Sequence, residues 1–128
     1  MGTRSLVVLQ EKQENGSIIR YVVIYEQYDG DLLNIGLKLA TFLKSIRVVN
    51  GFHLGDKDVA NGVGCLAAQY IAQNKTGPGG FYIDDSNRAL DEEFVYIVTY
   101  DAKLKQITVN FDGKEMTVND FYNICINN

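Results

Sequence analysis

Seven consecutive residues, Tyr25-Glu26-Gln27-Tyr28-Asp29-Gly30-Asp31, gather the side chains of this chain best suited to holding a ligand. Within them Tyr25, Gln27, Tyr28, Asp29 and Asp31 offer two rings that stack on a planar molecule, and carboxylates that take its donors or a cation. The same residues have an ordinary structural reading. Tyrosine is a good strand former, Asp-Gly a good turn, and Asp31 a good helix N-cap.

Other candidates are sparser. Cys65 follows Gly62 and Gly64 near the start of a predicted helix, where free backbone N–H groups stabilise a thiolate or bind an anion. The only histidine, His53, precedes it and is the one residue of its type available as a base. Against a Cys65/His53 pair, the small residues Ala60, Gly62, Gly64, Ala67 and Ala68 read as a close-packed helix with Cys65 in the core. His53, Asp56 and Asp58 bring mixed nitrogen and oxygen donors together, but their spacing matches no defined metal geometry, and a solvated loop with an Asp at a helix start accounts for them. The Gly77 to Gly80 segment lacks the Gly-Lys-Ser/Thr ending of a phosphate loop and reads as a turn. Tyr82, Tyr96 and Tyr100 read as sheet and core residues, because no basic groove accompanies them as a stacking platform would require.

These residues sit in a chain of 128 amino acids, 46% of them hydrophobic, which is enough for one α+β domain (1–128) with a single core and no disulfide or metal staple. Two cysteines, Cys65 and Cys125, are too few for a disulfide framework and point to a reducing, cytoplasmic setting. The N-terminus enters a strand-like run with no apolar stretch of signal-peptide or membrane-spanning length, so no membrane partner is expected. A net charge of −4 with scattered basic residues gives nucleic acid little to bind. The acidic residues at Asp29/Asp31, Asp56/Asp58, Asp84/Asp85 and Asp91 to Glu93 fall in predicted loops and strand ends.

Residues 5–10 and 18–28 read as two strands joined by a turn at Asn15-Gly16. In the second strand Tyr21, Val23 and Tyr25 share one face and Val22 and Ile24 the other, as expected of a strand covered on both sides. Leu32, Ile35, Leu39, Phe42, Leu43 and Ile46 then recur at helical spacing. After a connection over 47–55, a second helical stripe runs through Val59, Val63, Leu66, Tyr70 and Ile71 to about Lys75, and the segment from Thr76 to Gly80 ends it. Strands are predicted at 81–83, 94–100, 104–111 and 115–118, with a polar loop at 84–93 and a tight turn at Asp112-Gly113. Thr117, three residues before Asp120, opens a last helix with Val118, Phe121, Tyr122 and Cys125 on its apolar face. The order is β-β-α-α-β-β-β-β-α, an α+β domain on an antiparallel or mixed sheet packed by helices.

The opening Met1-Gly2-Thr3-Arg4-Ser5-Leu6, with Tyr25-Glu26-Gln27-Tyr28-Asp29-Gly30, Leu39-Ala40-Thr41-Phe42-Leu43, Gly64-Cys65-Leu66-Ala67-Ala68-Gln69, Gly79-Gly80-Phe81-Tyr82 and Glu93-Phe94-Val95-Tyr96, resembles a family of small uncharacterised proteins of phages, large DNA viruses and some bacteria. The resemblance spans nearly the whole chain. Those relatives tend to carry an Arg before the Gln-Tyr-Asp-Gly run and a Gly-His-Gly after it, where this chain has Glu26 and Leu33-Asn34-Ile35-Gly36. The resemblance implies a fold and a viral or phage setting, hence host cytoplasm. It implies no mechanism, no cofactor and no catalytic residue.

The expectation is therefore a noncatalytic binding protein that holds a small polar aromatic molecule, nucleotide-like in one version, or a partner protein, near Tyr25 to Asp31. Two other classes stand beside it: a small hydrolase using Asp29/Asp31 or Cys65/His53, and a homo-oligomeric interaction module pairing through exposed sheet edges.

Overall fold

The computed structural model describes residues 2–49 and 58–128. His53 and Asp56 lie outside the described residues. The centre of the fold is β1 (Ser5–Lys12), in which Leu6, Val7, Val8 and Leu9 are all fully buried. Four consecutive apolar residues point alternately to two faces, so such a strand is stable only where both faces are covered. Each buried side chain contributes roughly 2 kcal/mol.

β2 (Ile18–Glu26) pairs antiparallel with β1 on one side, and β6 (Phe94–Asp101) pairs parallel with it on the other. The sheet is completed by β5 (Phe81–Asp84) outside β2, and by β7 (Gln106–Phe111) and β8 (Lys114–Thr117) outside β6, giving the order β5-β2-β1-β6-β7-β8. It is a mixed sheet in an α+β fold. Two three-residue strands, β3 (Arg47–Val49) and β4 (Val59–Asn61), form a separate parallel pair. Val59 therefore belongs to a strand, not to the second helix, whose stripe begins at Val63.

The two Xaa-Gly turns fold differently. At Asp112-Gly113 both residues have positive φ (55° and 78°) between the paired Phe111 and Lys114, the tight two-residue hairpin expected there. At Asn15-Gly16 only Gly16 is left-handed (φ 89°), and its N–H donates to the Gln13 carbonyl at 2.8 Å. Asn15 instead accepts from the Ser17 N–H through its side chain, at 3.0 Å.

Leu9 pairs with Val22 while Gln10 pairs with Arg20, so Tyr21 is an extra residue bulged out of β2. The bulge places its ring against Gly64 on the helix side. Strict alternation would have put it with Val23 and Tyr25 on the other face.

Three helices cover one face of the sheet among the described residues. A π-helical turn, Leu32–Gly36, runs into α1 (Leu37–Ser45); α2 (Gly62–Asn74) follows β4, and α3 (Val118–Ile126) follows β8. The Thr117 hydroxyl accepts from the Asp120 N–H at 3.1 Å, so the predicted cap forms. Asp31 stands at the N-cap position of the π-turn but makes no side-chain cap. Its carbonyl takes the Asn34 and Gly36 N–H groups at 3.1 Å each, and its carboxylate takes the Asn34 side-chain amide at 2.8 Å.

The main core joins Val7, Leu9 and Ile24 of the sheet to Leu39, Phe42, Leu43, Leu66, Tyr70 and Phe121 of the helices. On the opposite face Leu6, Val8 and Val23 are covered instead by the loop at 85–93, through Leu90. That loop is rolled around Arg88, whose guanidinium reaches Asp84 at 2.9 Å, Asp91 at 2.8 Å and Glu92 at 3.2 Å. Arg20 of β2 fastens it to the sheet by donating to the Ser86 carbonyl at 2.8 Å. The polar sequence of the loop thus hides one apolar plug.

Candidate functional site

The last residue of β2, Glu26, is paired across the sheet with Ser5 of β1 and Phe81 of β5, and shares the helix-covered face with Ile24. It is 2% exposed. A carboxyl in that position loses its hydration and must be bonded or neutralised. Tyr70 of α2 supplies one bond, its hydroxyl lying 3.1 Å from Glu26 Oε2. The tyrosine is itself fixed by an edge-on contact with Phe42 (ring centroids 5.5 Å apart) and by Phe81 (6.0 Å). Burial drives the Glu26 carboxyl up to about 7, against opposing pulls from the Tyr70 hydroxyl and the Lys38 ammonium. Tyr70 is pushed well above its ordinary value by burial and by the neighbouring carboxylate.

Glu26 faces a cavity of about 210 Å³ walled by Ile35 of the π-turn, Lys38 of α1, Asn74 at the end of α2, Thr76, Gly79, Gly80 and Phe81, with Tyr28 among the lining residues. Glu26 and Lys38 line it together without an ion pair between them, although the charges act on each other through space. A second cavity of about 570 Å³ shares Lys38, Asn74 and Thr76 with the first and extends outward along Leu33, Leu37, Thr41 and Gln73. The two form an inner polar chamber and an outer, more apolar groove.

The wall at 76–80 owes its shape to Gly79 and Gly80, consecutive residues at φ 78° and 74° that a side chain would strain. Lys75 draws this loop back onto α2 by donating to the Gly79 and Phe81 carbonyls at 3.0 and 2.9 Å. The Gln27 N–H donates to the Gly80 carbonyl at 2.8 Å and ties the loop to the end of β2. These bonds to its carbonyls hold the segment in place as a wall of the chamber.

Of the five residues singled out in the sequence, Tyr28 lines the inner chamber; Tyr25, Gln27, Asp29 and Asp31 do not. Tyr25 is on the other face of the sheet, its ring 6.0 Å from that of Tyr82, because it neighbours Glu26 on an alternating strand. Tyr28 is 56% exposed, and its ring lies so close to Gly2 that a Cβ there would sit 2.5 Å from Tyr28 Cδ1. Asp29 is an exposed left-handed residue (φ 57°) whose carbonyl accepts from the Ile35 N–H at 3.0 Å. Gly30 is clamped by Tyr96, whose buried hydroxyl donates to its carbonyl at 2.7 Å.

Glu26 is the buried chamber-lining side chain that attention to turn and ring residues passes over. Its signal was available: an acid in phase with Val22 and Ile24, on the strand face that a helix must cover.

The thiols sit apart from this chamber. Cys65 is half-buried, with its Sγ 3.3 Å from Gln69 Oε1, while Cys125 is buried and its thiol pushed up to about 11 by that burial. Tyr96 is a core residue, Tyr100 is half-buried, and Tyr82 stands exposed on the edge strand β5. Among the described residues no three His, Cys, Asp or Glu side chains converge as a metal site, and no helix is long and apolar enough to cross a membrane.

Comparison with protein-family models, curated proteins and solved structures gives no match. The functional reading rests on the chamber itself.

Proposed function

We propose that this protein is a noncatalytic binding protein that holds a small polar molecule in the chamber floored by Glu26. One observation carries the reading: a carboxyl with almost no solvent exposure opens on a cavity instead of being packed shut or paired with a cation. An unpaired buried acid destabilises a fold, and perturbed acids in clefts cluster at functional sites. The tyrosine ring and the polar groups of Asn74 and Thr76 supply the remaining contacts such a molecule needs. The residues named for the hydrolytic alternative, Asp29, Asp31 and Cys65, do not line the chamber, which favours binding over that alternative.

The viral or phage setting implied by the sequence resemblance, and a cytoplasmic location, belong to the same proposal. Native mass spectrometry of the protein as purified, with denaturing analysis of anything released, tests it. The expected result is a stoichiometric small molecule that Tyr28→Ala loses and Asp29→Ala keeps. An empty protein that self-associates, and that binds nothing in a fragment screen, would overturn the reading in favour of an oligomeric interaction module.

A further inference from the structure

The chamber holds one acidic and one basic side chain that do not bond to each other. Glu26 lies at the floor, at the end of β2; Lys38 lies at the junction with the outer groove, on α1. An internal ion pair would close the space between them. Instead that space is a cavity of about 210 Å³, which accommodates a ligand head group of a few heavy atoms, and the roomier outer groove begins where Lys38, Asn74 and Thr76 are shared. A molecule filling both must therefore present a donor or positive centre inward and an acceptor or negative centre at the junction, and must carry an apolar part outward along Leu33 and Leu37. The neutral hydrogen-bonding groups are placed to help. Asn74 donates its side-chain amide to the Tyr70 carbonyl at 2.8 Å, so its amide is oriented and its oxygen remains as an acceptor.

We propose that the ligand is a zwitterionic amino acid with an apolar side chain, its ammonium on Glu26, its carboxylate on Lys38 and its side chain in the groove of Leu33 and Leu37. This rests on the binding reading given above and narrows it to a ligand class. A ligand without the ammonium leaves the buried Glu26 carboxyl unanswered, so discrimination against it is built into the arrangement, while the exposed Lys38 adds attraction for the carboxylate.

Isothermal titration calorimetry with L-phenylalanine, phenethylamine and 3-phenylpropanoate tests the assignment, since the three share a ring and differ only in charged groups. L-Phenylalanine is expected to bind most tightly. Glu26→Gln is expected to weaken L-phenylalanine and phenethylamine by roughly tenfold to a hundredfold while sparing 3-phenylpropanoate, and Lys38→Met to do the converse. Equal affinity for all three compounds, or loss of the same compounds in both variants, would overturn the assignment. So would the absence of binding by any of them at millimolar concentration. An amide-detected NMR fragment screen on the same sample then separates the two levels. Fragments that shift the Glu26, Tyr28 and Lys38 signals leave the chamber as a binding site for another chemistry, and no shifts there remove both readings.

Discussion

Replacing Glu26 with Gln should stabilise this protein, and only above a particular pH. The carboxyl titrates at 4.5 when solvated and at about 7 in the fold, displaced mainly by burial. Below pH 4.5 both the folded and the unfolded chain keep the proton, so Glu and its neutral isostere are nearly equivalent. Between 4.5 and 7 the unfolded chain loses the proton while the folded one holds it, and the wild type loses stability as pH rises. Above 7 the loss is complete. A displacement from 4.5 to about 7 corresponds to about 3 kcal/mol.

The amide still accepts the Tyr70 hydroxyl, and its own N–H₂ faces the chamber. For a domain of 128 residues the stabilisation appears as a Tm roughly 10 °C higher for the variant at pH 8, shrinking to little at pH 4.5. The assay is urea and thermal unfolding of both proteins from pH 4 to 9, read as the difference between them. Asp84, held below its ordinary value chiefly by the Asp85 N–H and also by Arg88, acts at lower pH and in both proteins, so it cancels in the difference. Parallel pH–stability curves would refute the reasoning, because they would mean that Glu26 is not desolvated in solution.

Further perturbations probe the frame around the chamber. Tyr96→Phe removes the hydroxyl from the Gly30 carbonyl and should cost about 1–3 kcal/mol in denaturant unfolding, the cost of a buried acceptor left without its donor. Gly36→Ala puts a Cβ 3.2 Å from Tyr96 Oη and 3.3 Å from Cys125 Sγ, so a loss of stability would show that this corner is rigid, and a gain of up to about 1 kcal/mol, the helical preference of Ala over Gly, that it yields. Phe121→Ala should cost about 3–5 kcal/mol, as it empties the space beside the Tyr96 ring. Arg88→Ala should speed hydrogen exchange and proteolysis across 85–93 while changing global stability little, since all its ion pairs lie within one surface loop and its edge strand.

Much of this architecture was written locally. The Leu6–Leu9 run, the stripe from Leu39 to Phe42, the Thr117 cap and the Asp112-Gly113 turn each satisfy a short-range rule that tertiary structure had no cause to override. What escaped the sequence was decided at a distance. Three-residue strands such as Arg47–Val49 and Val59–Asn61 are too short for any periodicity to show, and exist because they pair with each other. The Tyr21 bulge reverses a face assignment that alternation alone would make. The block at 25–31 is where strand, loop and helix converge, as its sequence indicates. Apart from Tyr28, its ring and turn residues do not line the chamber, while the buried side chain that does is the acid between Tyr25 and Gln27, visible once the phase of the strand is followed.

The parallel ladder between β1 and β6 has a consequence for the birth of the protein. Along this ladder paired residues such as Gln10 and Thr99 are 89 positions apart. On a ribosome adding about 5–20 residues per second, β1 waits roughly 5–20 seconds for its second neighbour. Throughout that interval an entirely apolar stretch, Leu6 to Leu9, has one bare edge, and that edge matches any other strand that reaches it, including the same segment of a second nascent chain. Yield in a cell should then depend less on the stability of the finished molecule than on how well that edge is shielded while the chain grows. Slowing translation ahead of β6 should lower soluble yield, and unchanged yield would show that the edge is shielded in the growing chain.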